Sequence, residues 1–517
     1  MMKSERNNMG LFQNLLETYE LSENAIGIAG SVKDGVIDEK KTLLPIFHTT
    51  FKSTICVNLA QHGKFLSATR DKKEITIIIP CTEGSSGRTT NVEAHPLCDQ
   101  LDYLGGINKA KTKKYLSELK NWKGQNPSLN AIHTYISGQT IVEDLEGSAI
   151  FKDNEYQEQT DTPLHNRLDY EKIRKLGVRF TVQTGDGFIN VWESEELRDS
   201  WKEYVLGSKS FTKSLFDYIS GLDVGKIATQ HPKNINSTTG NAKLLSCNDK
   251  TEFTFRGRFA KQDDAIIIDY ENSQKVHQML RWLISNYGYN VDSQVIVAWA
   301  VDDNKEVKEK LYDNSYILFE DTQADIQTEG ERLEELKGQV YADYAVKLRS
   351  VLQGYRNANV LKQHARKICI AAFDSATTGR MGLVFYQELS EDEYLGKIVQ
   401  WHEDTSYFQT AWKEPTDDTV ELKSSRVEYI GAPSYDEIIF AVYGKDRGDK
   451  SYTTLKKKTR KQLLECMFGN FAFPKNLVEM AANRASHPMG FMDKNGKFSE
   501  NDWRKSVNIS CALIRKY

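Results

Sequence analysis

Residues 55–80 read ICVNLAQHGKFLSATRDKKEITIIIP. The stretch predicts a strand, a turn containing Gly63, and a second, β-branched strand that stops at Pro80, where the ladder loses a donor. Working outward, LFQNLLETYELS (11–22) places apolar residues at helical spacing, and KAKTKKYLSELKNWKGQ (109–125) resumes a helix with a basic start. Between strand and helix lies CTEGSSGRTTNVEAHPLCDQLDYLGG (81–106), dense in Gly, Ser, Thr and Asn. Loops of that kind beside rigid strands often carry function. Helix and strand are thus interleaved from the start, which predicts a mixed α/β beginning.

Further along, RFTVQTGDGFINVWES (179–194) predicts a β-hairpin turning at GDG, and ELRDSWKEYVLGS (196–208) a helix. AIIIDYE (265–271) suggests a short strand, the following residues to about 286 an amphipathic helix, and SQVIVAWAVD (293–302) a buried strand. The acidic, polar segment at 152–163 suggests a surface excursion, the acidic stretch at 320–336 an inter-lobe linker or a solvated helix start, and LKGQVYADYAVKLRSVLQGYRNANVLKQHAR (336–366) a long helix. KICIAAFDSATTGRMGLVFYQEL (367–389) then reads as strand, loop, strand, and the last fifth as mostly helical. The expected class is α+β: mixed α/β over the N-terminal two thirds, mainly helical in the C-terminal part. Three regions are expected, 1–150, 151–330 and 331–517, since 517 residues exceed one ordinary core.

A hydrophobic share of 39% beside 27% charged residues fits a globular chain, not a disordered one. Seven scattered cysteines without a CxxC pair fit reduced thiols better than a disulfide framework or a zinc site. No signal peptide and no long apolar span is visible, so a cytoplasmic protein without a membrane partner is expected.

The net charge is only −4, yet residues 226–261 hold seven basic residues against two acids, Asp249 and Glu252. Asparagines and glycines lie between them. Such a stretch either donates hydrogen bonds to a large anion or is a solvated loop; phosphates take Lys and Arg, and base edges take amides or Arg. Catalytic chemistry is poorly represented. There is no HExxH, no phosphate-cradling loop and no nucleophile elbow, so neither metal nor cofactor is expected. Asp263, Asp264, Asp269 and Glu271 around the expected strand leave one enzymatic alternative, a metal-dependent nuclease.

Three blocks, GKIATQHPKNIN (225–236), GNAKLLSCNDKTEFTFRGRF (240–259) and SQKVHQMLRWLI (273–284), resemble the large subunit of the type I-C CRISPR-associated Cascade complex. The likeness extends over IIIPCTEGSSGRTTNVEAHPLCDQLDYLGG (77–106), FDSATTGRMGLVFYQEL (373–389), KIVQWHEDTSYFQTAW (397–412) and DEIIFAVYG (436–444). It continues through RKQLLECMFG (460–469), FPKNLVEMAANRASHP (473–488) and SVNISCALIRKY (506–517). The resemblance implies a non-catalytic subunit of a ribonucleoprotein. Its partners would be crRNA-bearing Cascade subunits, target double-stranded DNA and a helicase–nuclease effector. It would recognise the protospacer-adjacent motif, promote duplex opening into an R-loop, and offer an anti-CRISPR protein a groove to block. Members of that family usually continue past the point matching Tyr517 into a helical region resembling the small subunit. This sequence stops there, so no role for that bundle is implied.

Residue types then assign the roles. Lys233, Asn234, Asn236 and Asn241, with Arg88, Thr89, Thr90 and Asn91, are the motif-reading or duplex-wedging residues. Arg256, Arg258 and Lys261 are assigned to phosphates, with Arg380 serving either DNA or a turn. Lys456, Lys457, Lys458, Arg460 and Lys461 form a basic helix face that either tracks single-stranded DNA or is merely solvated. Trp282, Trp299, Trp401 and Trp412 are expected in the core. A scaffold subunit without base readout is the remaining alternative.

Overall fold

The computed structural model describes residues 10–27, 32–33, 36–37, 41–88, 91–148, 150–151, 170–185, 187–207, 215–223, 226–246, 258–259, 264–301, 312–318, 367–377, 379–413, 425–492 and 496–517. The expected acidic excursion at 152–163, the acidic stretch at 320–336 and the long helix at 336–366 lie outside them, as do Thr89, Thr90, Arg256 and Lys261. The class is α+β, as expected. Two compact units form where the sequence suggested three regions: Met9–Asn286 with Ser375–Met381, and Tyr287–Asp374 with Gly382–Tyr517. The division between these units falls after residue 286 and on either side of residues 375–381.

In the first unit the quoted hairpin is real. Strand β1 (His48–Leu59) pairs antiparallel with β2 (Phe65–Pro80), with His48 opposite Pro80. Its buried face is apolar: Ile55, Val57, Leu59, Ile77 and Ile79 are each almost wholly excluded from solvent. The sheet continues through residues distant in sequence. A short β3 (Asp99–Gln100) lies at one edge, and β4 (Gly177–Thr184) runs parallel to β1, giving the order β2-β1-β4-β3. Strand β5 (Gly187–Asn190) completes the predicted hairpin with β4, Thr184 facing Gly187 across the turn.

Among the described residues, four longer helices belong to this unit ahead of its last, of which the first, second and fourth stand where apolar stripes predicted them and the third was not anticipated. They are α1 (Leu11–Leu21), α2 (Lys109–Trp122), α3 (Pro127–Gly138) and α4 (Glu195–Gly207). Asn108 and Asn126 cap α2 and α3 by accepting from backbone N–H groups three residues on, at 3.2 and 3.1 Å. The unit's last helix, α5 (Tyr270–Tyr287), buries Val276, Met279, Leu280 and Leu283 together with a set of polar residues on a second face.

One expectation fails here. Residues 266–268 form no strand; a single antiparallel bridge joins Ile227 and Asp269, and the chain turns directly into α5. Asp269 therefore precedes a helix and Glu271 lies in its first turn, and the two do not share a strand.

The second unit has its own sheet. Strands β6 (Tyr289–Val291), β7 (Gln294–Ala300), β8 (Lys367–Thr377) and β9 (Arg380–Ser390) lie in the order β9-β8-β7-β6, and β10 (Tyr407–Lys413) pairs with β11 (Ser425–Gly431). Helices dominate the chain's end: α6 (Glu391–Asp404), α7 (Tyr435–Tyr443), α8 (Lys450–Phe468), α9 (Lys475–Ala485) and α10 (Glu500–Lys516). Ser390 with Glu393, and Ser434 with Glu437, form reciprocal capping boxes that start α6 and α7 sharply. Their apolar faces join Ile296, Ile370, Trp401, Leu463, Phe468, Leu477 and Ile509 in one core. Trp299 and Trp401 are buried as expected, and Trp282, half-buried in the first unit, donates to the Lys41 carbonyl. Among the described residues no helix is long and apolar enough to cross a membrane.

Candidate nucleic-acid interface

The basic, amide-rich segment 226–246 lies against the first unit by a few apolar and backbone anchors. Ile235 and Ala242 are buried, and the Ala228 N–H donates to the Ile268 carbonyl at 2.9 Å. Between these anchors the polar side chains divide into two groups. Asn234 and Asn241 are exposed and Lys233 is half-buried. Asn234 adopts a left-handed backbone (φ 58°), a conformation asparagine tolerates better than most residues. Asn236 turns inward instead. It is 1% exposed, and its carboxamide oxygen accepts from the Thr238 N–H and hydroxyl at 3.1 and 3.0 Å, capping a short 3-10 turn.

The loop after β2 is folded on itself by reciprocal bonds. The Thr82 N–H donates to Ser85 Oγ at 2.9 Å, and the Ser85 N–H to Thr82 Oγ1 at 3.0 Å. This places Arg88 so that its guanidinium grips Asp99 with both terminal nitrogens, one at 2.8 Å, and donates to the Glu93 carbonyl at 2.6 Å. Its carbon lies 4.1 Å from the Tyr103 ring centre. Asp99 is wholly buried. Arg88 thus serves the fold through an internal ion pair, whatever else its exposed edge touches. Asn91 is exposed, and so is Arg258.

Four of the expected residues come together. Arg88, Lys233, Asn234 and Asn241 line one polar cavity of about 280 Å³. Its far wall is a face of α5 that the residue-type reading overlooked: His277, Gln278 and Arg281. A narrower space of about 60 Å³ shares Ser86, Pro232 and Lys233 with it and adds Glu83, Lys243 and Gln274. Gln274, Gln278 and Arg281 follow at i, i+4 and i+7, the spacing of a single helix face, and that spacing was the available signal.

Charge at this surface is mostly positive. Burial, with Lys233 close by, lowers the Lys243 ammonium below its ordinary range, Glu83 opposing the effect. The Glu83 carboxylate accepts from the Gln230 N–H. His277 donates Nδ1–H to the Ser273 carbonyl at 2.7 Å, and burial holds it neutral with a pKa of about 4. His231, stacked at 5.7 Å from His277, lies at about 3, mainly through burial and then through His277. Arg380 meets this segment through its backbone: the Lys243 N–H donates to the Gly379 carbonyl, and the Met381 N–H to the Lys243 carbonyl. Its side chain is exposed.

The basic run on α8 is built differently. Lys456 pairs with Asp436 at 3.0 Å, Lys457 with Asp374 at 2.9 Å, and Lys461 with Glu465 at 3.6 Å. Arg460 is fully buried, 4.0 Å over the Tyr289 ring, with one terminal nitrogen donating to the Tyr289 carbonyl. Lys458 is the exposed member.

Of the carboxylates behind the nuclease alternative, the three described ones do not converge. Asp269 accepts from the Glu271 N–H at 2.9 Å at the start of α5, and Glu271 pairs with Lys275 at 3.2 Å. Asp264 is exposed, and Asp263 lies outside the described residues. Among the described residues no three His, Cys, Asp or Glu side chains form a metal-ligating group.

The family model of the CRISPR-associated protein Cas_Csd1 matches residues 33–517. No curated protein matches the chain.

Proposed function

The chain belongs to the Cas_Csd1 family of CRISPR-associated proteins, and from that premise we propose that it is the non-catalytic large subunit of a type I-C Cascade complex. In this reading it recognises the protospacer-adjacent motif on duplex DNA, promotes duplex opening and docks a helicase–nuclease. The observation that carries the reading is the convergence of Lys233, Asn234 and Asn241 with Arg281 on one polar cavity of the first unit. Lysine and arginine suit phosphates, and carboxamides suit base edges. Guide pairing supplies most of the sequence information in such complexes, so a few base contacts beside the protospacer suffice.

The test is duplex binding by the reconstituted crRNA complex, with and without this chain, at two salt concentrations, on targets differing only beside the protospacer. Binding that needs the chain and collapses when those base pairs change supports the motif reader. Lys233→Ala and Asn241→Ala are then expected to weaken it. Binding that needs the chain but ignores those pairs makes it a scaffold or phosphate clamp.

A further inference from the structure

The cavity is roomier than a phosphate contact requires. At about 280 Å³ it lies near the lower end of small-ligand sites, roughly 300 Å³ and upward. Its chemistry is mixed. His277 is fully buried, and with Nδ1 donating to the Ser273 carbonyl its Nε2 is left as an acceptor lone pair. That Nε2 is buried and has no hydrogen-bond partner. An orphaned acceptor repels phosphate oxygens and favours an amine or a ring N–H. Beside it, Asn234, Asn241 and Gln278 bring carboxamides, which both donate and accept. A plain anion site needs donors alone, and an apolar ligand needs apolar walls. Donors and acceptors around a small space are the complement of a nucleobase edge. The adjoining narrow space has the opposite character, with Lys233 and Lys243 against Glu83.

We propose that this cavity receives one unpaired nucleotide. The base occupies the larger space against Asn234, Asn241 and Gln278; because Nε2 is closed to solvent, the side chains over His277 part for the exocyclic amine or ring N–H to donate to it, and the phosphate lies toward Lys233 and Lys243. The proposal rests on the reading of the chain as a DNA-binding subunit and adds that one base beside the motif leaves the helical stack. A base taken from the stack is read on its whole pairing edge, which a groove contact cannot reach.

Two experiments test it. In the first, the full chain carrying ¹⁵N-labelled histidine is titrated with dAMP, dCMP, dGMP, TMP and inorganic phosphate. Nucleotides whose base donates to Nε2 are expected to move the His277 Nε2 resonance, and inorganic phosphate is not. His277→Phe, which keeps a ring in place, is expected to weaken nucleotide binding about tenfold, and Lys243→Ala to weaken it without abolishing base preference. In the second, the reconstituted complex binds duplexes with 2-aminopurine at successive positions beside the protospacer. Fluorescence is expected to rise at one position and to stay quenched there with Asn241→Ala. If every position stays quenched and no nucleotide moves the His277 signal while duplex binding persists, the motif is read in the groove and the proposal falls. An equal response to inorganic phosphate makes the cavity a simple anion site and also overturns it. If the complex shows no duplex binding through this chain, the proposed function fails, and the nucleotide titration alone still decides the cavity.

Discussion

The segment around Lys233 and the basic run on α8 carry the same residue types, yet the fold treats them oppositely. On α8, Lys456, Lys457 and Lys461 each have a carboxylate within 4 Å, and Arg460 is buried over Tyr289. At the cavity, Lys233 and Lys243 border one narrow space together with Glu83, and Lys243 feels Lys233 as a like charge. A cation already neutralised by a neighbour gains little from a phosphate. One held beside another cation gains more, because an incoming anion relieves the repulsion. Density of positive charge in a sequence therefore says less about nucleic-acid binding than what faces each charge.

The units also differ in buried histidines, and acid should separate them. In the first unit burial holds His48 and His277 at about 4 and His231 at about 3, and lowers His95 as well. In the second, among the described residues, His402 lies at about 3 for the same reason. These imidazoles are neutral in the fold, whereas unfolded ones take up protons below about pH 6.5. The stability they confer is complete above that pH and is lost as the pH falls toward the folded values. The loss is on the order of 3 kcal/mol each for His48 and His277 between pH 6.5 and 4. The first unit is expected to unfold at the higher pH. Hydrogen exchange of peptides containing Tyr115–Leu119 and Leu463–Phe468 across pH 7 to 4 reports each unit separately. Earlier loss of the second would break the comparison.

Within the first unit, Arg88→Ala separates structural charge from binding charge. It leaves the Asp99 carboxylate buried without its guanidinium, a defect of about 3–5 kcal/mol, visible as a lower urea midpoint. A variant that keeps its stability while the complex loses duplex affinity would move Arg88 from the fold to the interface.

Much of the architecture was legible because it is local. The hairpin 55–80 shows its alternation and turn, and α2, α4 and α5 show their apolar stripes. What was not legible depends on partners far away in sequence. Ile266–Ile268 has strand composition, but among the described residues it makes only isolated backbone bonds, the Tyr218 and Ala228 N–H groups donating to the Ile267 and Ile268 carbonyls, before α5 begins. The parallel pairing of β1 with β4 joins Ile55 to Val178, and no local pattern announces it. The same limit applies to the cavity. Its amides and lysines stand out in the text of 229–243, but the helix face holding His277 and Arg281 joins them only by folding. Asn236 was indistinguishable by type from Asn234, and only its turn geometry assigns it to a cap.

On α8 the sharpest substitution is Arg460→Met. The buried guanidinium has two nitrogens without partners, and no carboxylate is among its hydrogen-bond partners. An apolar side chain of similar length should change stability by less than about 1.5 kcal/mol in either direction. Duplex binding by the reconstituted complex should not change. A large drop in affinity with an intact thermal midpoint would restore this helix as a nucleic-acid contact.

The smallest effects give the most direct contrast. Lys233→Ala is expected to weaken duplex binding roughly tenfold, the ~1.4 kcal/mol of one charge-assisted hydrogen bond. If Lys233 holds a phosphate, the loss is uniform across motif variants and the salt slope falls by about 1; if it touches a base edge, the loss is confined to one motif. Lys458→Ala removes the same charge from the exposed side of α8, and neither the affinity nor the salt slope should move. Equal losses from the two substitutions would mean that DNA senses only the overall field of the protein. The distinction between a cation exposed on a helix and a cation lining the cavity would then have no bearing on binding.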